Sequence, residues 1–246
     1  MFLDATYCKA RVNRRIVSQA VVIATGVRAD GWREVLGFAV GDSEDGAFWT
    51  AFLRSLKARG LGGVQLVISD AHTGLRQAIN AVLLGAAWQR CRVHFLRNVL
   101  AAVPKASGEM VAAAIRTIFA QPDAEMVRDQ LQVIATMVGR QAPKVERTLR
   151  DAAEELLAFT GFPAAHWKKI WSTNPLERVN KEIKRRTDVV GVFPNSEALL
   201  RLAGAVLVEA HDEWQTSDRR YLSEATMAAL TASSSDGLAT PELMTA

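Results

Sequence analysis

Runs of apolar residues in the first hundred positions alternate between the spacing of strands and that of helices. β-Branched and aromatic runs bounded by turn residues indicate strands, and they lie at 1–7, 15–27, 33–40, 64–69 and 88–95. Apolar stripes at helical spacing predict helices over 44–59 and 72–84. Asp30 and Gly31 predict an antiparallel hairpin turn, and the run at 64–69 is typical of a buried parallel strand. We therefore predict an α/β fold, a mixed sheet with flanking helices.

The second half of the chain shows helical spacing and no strand pattern. Its predicted helices lie at about 107–120, 123–139, 143–158, 174–186 and 197–213. We predict a discontinuous core made of residues 1–96 and 170–226, interrupted by an all-helical insertion at 97–169. The Ser-, Thr- and Ala-rich segment 227–246 is predicted to be disordered.

Composition narrows the class of protein only slightly. The 246 residues include 49% hydrophobic and 23% charged side chains, which is ordinary for a soluble globular protein. No apolar run approaches the length of a membrane span. Two cysteines give no disulfide framework and favour a reducing, cytoplasmic compartment. The net charge of +4 permits a nucleic-acid partner without requiring one.

Three carboxylates lie at positions that suggest a functional role. Asp4 interrupts an apolar strand, Asp70 follows a buried strand, and Glu177 lies near the start of the 174–186 helix. An ionised carboxylate in a strand interior is costly unless it is paired, hydrogen-bonded or bound to a metal. If the first and fourth strands are neighbours, both aspartates face one edge of the sheet, and the helix can bring Glu177 to them. Such a trio suits two Mg²⁺ ions and phosphodiester chemistry.

Structural explanations for the same carboxylates remain open. Glu177 can be the glutamate of a capping box whose N-cap is Asn174, with Pro175 at the first helical position. Asp70 can cap the helix that follows it. Because the chain has 26 acidic residues, some trio can always be chosen.

Basic residues cluster on the helix that carries Glu177. They are Arg178, Lys181, Lys184, Arg185 and Arg186. Side chains of this kind hold the phosphate backbone of nucleic acids. The alternative is a solvated helix face, stabilised by pairs such as the one between Glu177 and Lys181.

Several ordered stretches resemble the motifs of the Mutator-type transposases, a large group of bacterial insertion-sequence proteins. They are residues 3–11, 69–75, 91–95 and 173–186, with a further likeness at 211–214 and 219–222. The resemblance implies an RNase H-like fold interrupted by a helical insertion before the glutamate. It implies a catalytic, metal-binding triad of Asp4, Asp70 and Glu177 that uses Mg²⁺, with Mn²⁺ as a substitute. The implied reaction is cleavage at transposon ends and joining of the 3′-hydroxyl to target DNA.

The resemblance also implies partners and a location. The expected partners are the DNA of transposon ends and target DNA, which the basic helix would contact, and further copies of the chain in a homo-oligomer. The expected location is the bacterial cytoplasm, in association with the nucleoid and not with a membrane. Cys91 and His94 match a Cys-x-x-His signature of the family. They are too few for a structural zinc site. They are either a buried cysteine and a core histidine, or His94 is a catalytic residue near the scissile phosphate.

One departure from the family pattern leads to competing hypotheses. Family members carry a long DNA-binding region before the first catalytic motif, whereas here that motif begins at Leu3. We therefore expect a truncated transposase that lacks the region for binding DNA ends. A second hypothesis is a catalytically inactive DNA- or partner-binding remnant that antagonises full-length transposase. A third is an RNase H-like nuclease with another substrate.

Overall fold

A computed structural model describes residues 1–42 and 45–235 of the chain. Its first half contains β1 (Phe2–Val12), β2 (Arg15–Val27), β3 (Arg33–Gly41), α1 (Gly46–Ala58), β4 (Leu66–Ser69), α2 (Thr73–Val82) and β5 (Ala87–Arg90). Helices follow: α3 (Arg92–Ala101), α4 (Lys105–Ile118), α5 (Ala124–Gly139), α6 (Pro143–Asp151), α7 (Ala153–Leu156), a 3₁₀ turn (Ala158–Gly161), α8 (Ala164–Ile170), α9 (Asn174–Val190), α10 (Ser196–Gln215) and α11 (Glu224–Ser235). The predicted α/β class is confirmed.

The five strands form one mixed sheet in the order β3-β2-β1-β4-β5. The first three strands are antiparallel, and β4 pairs in parallel with both β1 and β5. All of β1 pairs with β2, from Phe2 opposite Thr25 to Val12 opposite Arg15, and a two-residue turn at Asn13 and Arg14 joins them, with φ angles of 48° and 66°. Positive φ at both positions is typical of the tight turns that join twisted hairpin strands.

Each face of the sheet carries its own layer of helices. Because side chains alternate along a strand, Leu3 packs with Trp49 and Ile79 of α1 and α2. Phe2 packs on the opposite face, in the cluster that includes Ile183 of α9. Asp4 has the same parity as Phe2. It therefore belongs to the face covered by α9.

The stretch between β5 and α9 is entirely helical. Its helices enclose an aromatic group formed by Phe119, Phe159, Trp167 and Trp171, whose ring centroids lie 5.2–5.8 Å apart. These rings belong to the same buried cluster as the α9 face of the sheet. The helical region thus extends the core on that side.

Some predicted boundaries were wrong. The fifth strand ends at Arg90 rather than at position 95, and Arg92 begins α3. The amide of Arg92 donates to the carbonyl of Trp171 and that of Phe95 to Cys91, so the backbone turns away from the sheet there. α9 continues to Val190, four residues beyond its predicted end at 186.

The predictions for the C-terminal segment and for membrane spans can also be compared with the structure. α11 covers 227–235 of the segment predicted to be disordered, and 236–246 lie outside the described residues. Within residues 1–42 and 45–235, no helix is long and apolar enough to cross a membrane.

Candidate active site

Asp4 and Asp70 lie level with each other on neighbouring strands. Phe2 pairs with Ile68 in the parallel β1–β4 ladder. Asp4 follows Phe2 by two positions, and Asp70 follows Ile68 by two. Residues two apart share a face of a sheet, so both carboxylates belong to the face covered by α9. The predicted meeting of the two aspartates at the end of β4 agrees with this register.

Hydrogen bonds orient both carboxylates. Oδ2 of Asp4 accepts from Nδ2 of Asn180 at 2.8 Å, and Oδ1 accepts from the amide of Ala5 at 3.0 Å. Oδ1 of Asp70 accepts from the amide of Ala71 at 2.7 Å. The N-cap of α2 is His72, whose Nδ1 accepts from Leu75 at 3.4 Å. Capping of that helix therefore does not explain Asp70.

His94 lies in the first turn of α3, beside both aspartates. The neighbouring Cys91 thiol is the main cause that raises the pKa of His94 to about 9, and the charges of Asp4 and Asp70 add to it. Nδ1 of His94 is buried and has no hydrogen-bond partner in the described part of the chain. His94 therefore lies within the electrostatic influence of both aspartates.

Cys91 is fully buried and ties α3 to the start of α9. Its Sγ accepts from the amide of Thr173 at 3.3 Å and lies 3.4 Å from the Thr173 hydroxyl. Burial tends to raise the pKa of the Cys91 thiol, but the contacts with His94 and Thr173 outweigh it and the pKa is lowered. Because Thr173 is the N-cap of α9, Cys91 helps to fix where that helix begins.

α9 runs alongside β1 and carries Glu177. Beyond the contact of Asn180 with Asp4, Nζ of Lys184 donates to the carbonyl of Tyr7 at 3.1 Å. Glu177 lies one turn before Asn180 on the same side of the helix and is half-buried. Its carboxylate accepts no hydrogen bond from any described residue.

The capping-box explanation of Glu177 is wrong in this structure. Thr173 is the N-cap and Asn174 the first helical residue, so Glu177 falls at the fourth helical position. A capping box requires the third. The carboxylate is therefore available for another role.

The register places Asp4 and Asp70 level on neighbouring strands, but Glu177 does not complete a metal site of three side chains with them. Across residues 1–42 and 45–235, no three His, Cys, Asp or Glu side chains converge closely enough to hold an ion. Glu177 instead lines a groove along α9 with Arg178, Lys181 and Trp214. Asp4 and Asp70 offer the hard oxygen ligands that Mg²⁺ prefers. Binding of Mg²⁺ by Asp4, Asp70 and Glu177 therefore stays a prediction.

Most of the basic side chains on α9 are already paired with carboxylates. The pairs are Arg178–Glu213 at 3.1 Å, Lys184–Asp188 at 3.3 Å, and Arg185 and Arg186 with Glu182 at 2.7 Å each. Hydrogen bonds from both arginines lower the pKa of Glu182 to about 2. Lys181 makes no ion pair with any described residue. The positive charge predicted for DNA contact is thus largely balanced on this helix.

Residues 1–217 match the family described as transposases of the Mutator family. The chain belongs to this family. It is 52% identical over 219 residues to the transposase for insertion sequence element IS1081 from Mycobacterium tuberculosis, a match that covers 89% of this chain and 52% of the relative. It is 44% identical over 217 residues to the transposase for IS406 from Burkholderia multivorans, which covers 88% of this chain and 56% of the relative.

A more distant relative extends the same pattern. The transposase for IS256 in transposon Tn4001 from Staphylococcus aureus is 38% identical over 226 residues, covering 90% of this chain and 57% of the relative. The chain therefore spans about half the length of the curated relatives that it matches.

The structure adds one residue that the sequence analysis missed. Asn180 donates to Asp4, and its own Oδ1 is buried without a hydrogen-bond partner among the described residues. A signal was present, because Asn180 follows Glu177 by three positions and so shares its face of the helix. The partner could not be known without the packing of α9 on β1.

Proposed function

We propose that this chain is the catalytic part of a DDE transposase, with an RNase H-like fold that the helices between β5 and α9 interrupt. It would cleave DNA at transposon ends and join the 3′ end to target DNA. The observation that carries the proposal is the level placement of Asp4 and Asp70 beneath α9, the helix that bears Glu177. Membership of the Mutator family supports a role in transposition.

In this proposal the two aspartates hold Mg²⁺, with Mn²⁺ as a substitute, and Glu177 completes the ligand set. Bound divalent ions would activate the attacking oxygen and stabilise the leaving oxygen. Asn180 keeps the Asp4 carboxylate oriented through its 2.8 Å hydrogen bond. His94 would donate a hydrogen bond to a phosphate oxygen beside the aspartates. Glu177 has to move toward the aspartates when the ion binds.

Cleavage of supercoiled plasmid in the presence of Mn²⁺ tests the catalytic roles. Asp4→Asn, Asp70→Asn and Glu177→Gln should each reduce cleavage at least 100-fold, as expected when a group that acts as part of a unit is removed. Asp129→Asn is the matched control, because Asp129 is exposed on α5, away from the sheet. Its activity should equal that of the unaltered protein. Cleavage by Asp70→Asn at the unaltered rate would refute the assignment.

A second measurement follows the ion itself. Mn²⁺ should raise the unfolding temperature of the unaltered protein, because an ion that binds only the folded state stabilises it. The rise should disappear in Asp70→Asn and persist in Asp129→Asn. A rise of equal size in both variants would place the ion elsewhere.

The separation of Glu177 from the aspartates favours a second candidate function. Under this second function the chain binds DNA or another copy of the transposase without cleaving DNA. It antagonises the active enzyme through mixed oligomers. Glu177 then lines the α9 groove and takes no part in chemistry. This function predicts no Mn²⁺-dependent cleavage by the unaltered chain, and DNA binding that Asp70→Asn leaves unchanged. Light scattering on mixtures with a full-length relative would detect the mixed oligomers.

A further inference from the structure

A small basic pocket lies beyond the end of the groove that runs along α9. It is formed by the start of β3, the end of α8 and the segment after α10, and its charged and aromatic lining includes Trp32, Arg33, Lys169, Arg219, Arg220 and Tyr221. Its volume is about 140 Å³, whereas small-molecule pockets span roughly 300–1,000 Å³. The pocket therefore suits one group of a longer molecule better than a whole enclosed ligand.

Aromatic rings and a backbone carbonyl position two of the cationic side chains of this basic pocket. The Arg33 guanidinium lies 4.4 Å from the Trp214 ring centroid and 4.7 Å from that of Tyr221. Lys169 lies 5.2 Å from the Tyr221 ring and donates to the Tyr221 carbonyl. Contacts with π faces orient a cation without neutralising it. These side chains are thus positioned while their charge remains available.

Carboxylates neutralise only part of the charge in the same pocket, where Glu213 acts on Arg33 and Asp30 on Arg220 through their charges. Of its four cations, only Arg220 makes an ion pair with a described residue, and its partner is Glu224. Arg219 is exposed and has no ion pair within residues 1–42 and 45–235. On α9, by contrast, four of the five cations predicted to contact DNA are paired with carboxylates. A phosphate would displace a carboxylate on α9, but it need not do so at Arg219 or Lys169.

The basic pocket is continuous with the groove that contains Glu177. Arg33 and Trp214 line both spaces. A polyanion lying in the groove beside Glu177 would therefore pass directly over Arg33 into the pocket. The arrangement combines a chain of cations with aromatic surface, which is a common basis for contact with a nucleic-acid backbone.

We propose that the basic pocket binds a backbone phosphate of duplex DNA, on DNA that extends from the α9 groove. Lys169 and Arg219 donate to the phosphate oxygens, and Arg33, fixed between its two rings, supplies charge from below. The proposal rests on the proposed function for the identity of the ligand. It differs from the sequence prediction, which assigned DNA contact to the cations of α9.

The test measures equilibrium binding of a fluorescein-labelled DNA duplex of random sequence by anisotropy. EDTA is present throughout, so that binding is separated from cleavage. Arg219→Gln and Lys169→Gln should each weaken binding several-fold. Each should also lower the slope of log K against log salt concentration by about 0.9, the value for one lost phosphate contact on duplex DNA. Arg219→Lys should restore most of the affinity.

Arg128→Gln is the matched control. Arg128 is exposed on α5 and makes no ion pair with any described residue, so its loss should leave both affinity and slope unchanged. The proposal is overturned if Arg219→Gln and Lys169→Gln bind with unaltered affinity and slope, or if Arg128→Gln lowers both as much as they do. The second result would show that binding follows overall charge.

Failure of this inference is distinguishable from failure of the proposed function. If Asp70→Asn abolishes cleavage while Arg219→Gln binds normally, the catalytic assignment stands and the pocket has no role. If Arg219→Gln weakens binding while the unaltered protein does not cleave with Mn²⁺, the pocket stands and the catalytic assignment falls. Circular dichroism of each variant checks that the fold is retained.

Discussion

The contact between Asn180 and Asp4 can be tested by placing a second carboxylate in it. In Asn180→Asp, the amide that donates to Oδ2 of Asp4 at 2.8 Å is replaced by a group that cannot donate at neutral pH. Two negative charges then face each other where the unaltered protein has a donor and an acceptor. We expect this variant to be less stable at pH 7 and to regain stability in acid.

The magnitude follows from the distance. Loss of a hydrogen bond to a charged group costs roughly 1.5–3 kcal/mol. Two unit charges at the 2.8 Å separation of the present contact repel by about 1.5 kcal/mol at a dielectric constant of 80 and by about 6 kcal/mol at 20. Asp4 and Asn180 are half-buried, and both side chains can relax apart. We therefore expect a loss of about 3 kcal/mol in the free energy of unfolding.

The sign of the pH dependence is fixed by the repulsion. It raises the pKa of one of the two carboxyls in the folded variant above its value of about 3.9 in the unfolded chain. The folded state then binds a proton that the unfolded state does not bind. The destabilisation is therefore complete above the raised pKa and disappears as the pH falls through it. If Asp4 binds a divalent ion, Mn²⁺ at pH 7 should narrow the gap in the same way.

Urea unfolding followed by tryptophan fluorescence measures both effects at pH 7 and at pH 4.5, which lies near the ordinary carboxyl pKa of about 3.9 and below the raised one. Asn80→Asp, on the exposed side of α2, is the control and should change stability by less than about 0.5 kcal/mol. The exchanged pair Asp4→Asn with Asn180→Asp restores one donor and one acceptor, so it should recover much of the loss. Equal midpoints for Asn180→Asp and the unaltered protein at pH 7 would refute the contact.

Three further predictions test contacts around the site. Cys91→Ala should lower the pKa of His94 from about 9 toward 6.5, as measured by NMR titration of the metal-free protein, because the thiol is the main cause of its elevation. Gly74→Ala should destabilise by about 1–3 kcal/mol in thermal unfolding, because the added Cβ would lie 2.6 Å from the amide nitrogen of Gly46. Gln89→Ala should cost about 2 kcal/mol or more in urea unfolding, because two buried backbone groups around α7 lose their partner.

The sheet was largely predictable because its strands carry their own local signals. The run of Val and Ile at 15–27 predicted β2 at its observed bounds. The fifth strand was predicted too long, because Cys91, Val93 and Phe95 alternate with polar residues as in a strand. Phe95 and Val99 are both buried on one side of α3, a spacing of four that favours the helix. What decides the ending is the carbonyl of Trp171, far along the chain.

In the candidate site too, some features could be predicted from local sequence and others depend on contacts between distant residues. Asp4 and Asp70 were predicted to lie at one edge of the sheet if β1 and β4 were neighbours. The two strands do pair, and because β4 is short its end lies level with the start of β1. The role of His72 as a cap was missed, since histidine is an uncommon N-cap and Asp70 was the expected residue type. The position of Glu177 relative to the aspartates depends on how α9 packs against β1. No pattern within α9 encodes that packing.

The hydrogen bond from Asn180 to Asp4 joins residues 176 positions apart, and this separation sets an order of events during synthesis. The β1–β2 hairpin has a two-residue turn, so it can form within microseconds of its emergence. At roughly 5–20 residues per second, the ribosome needs about 9–35 seconds to add the intervening segment. During that interval β1, which bears Asp4, is not yet covered by α9. A nascent chain therefore exposes Asp4 without the amide of Asn180 until translation has passed α9.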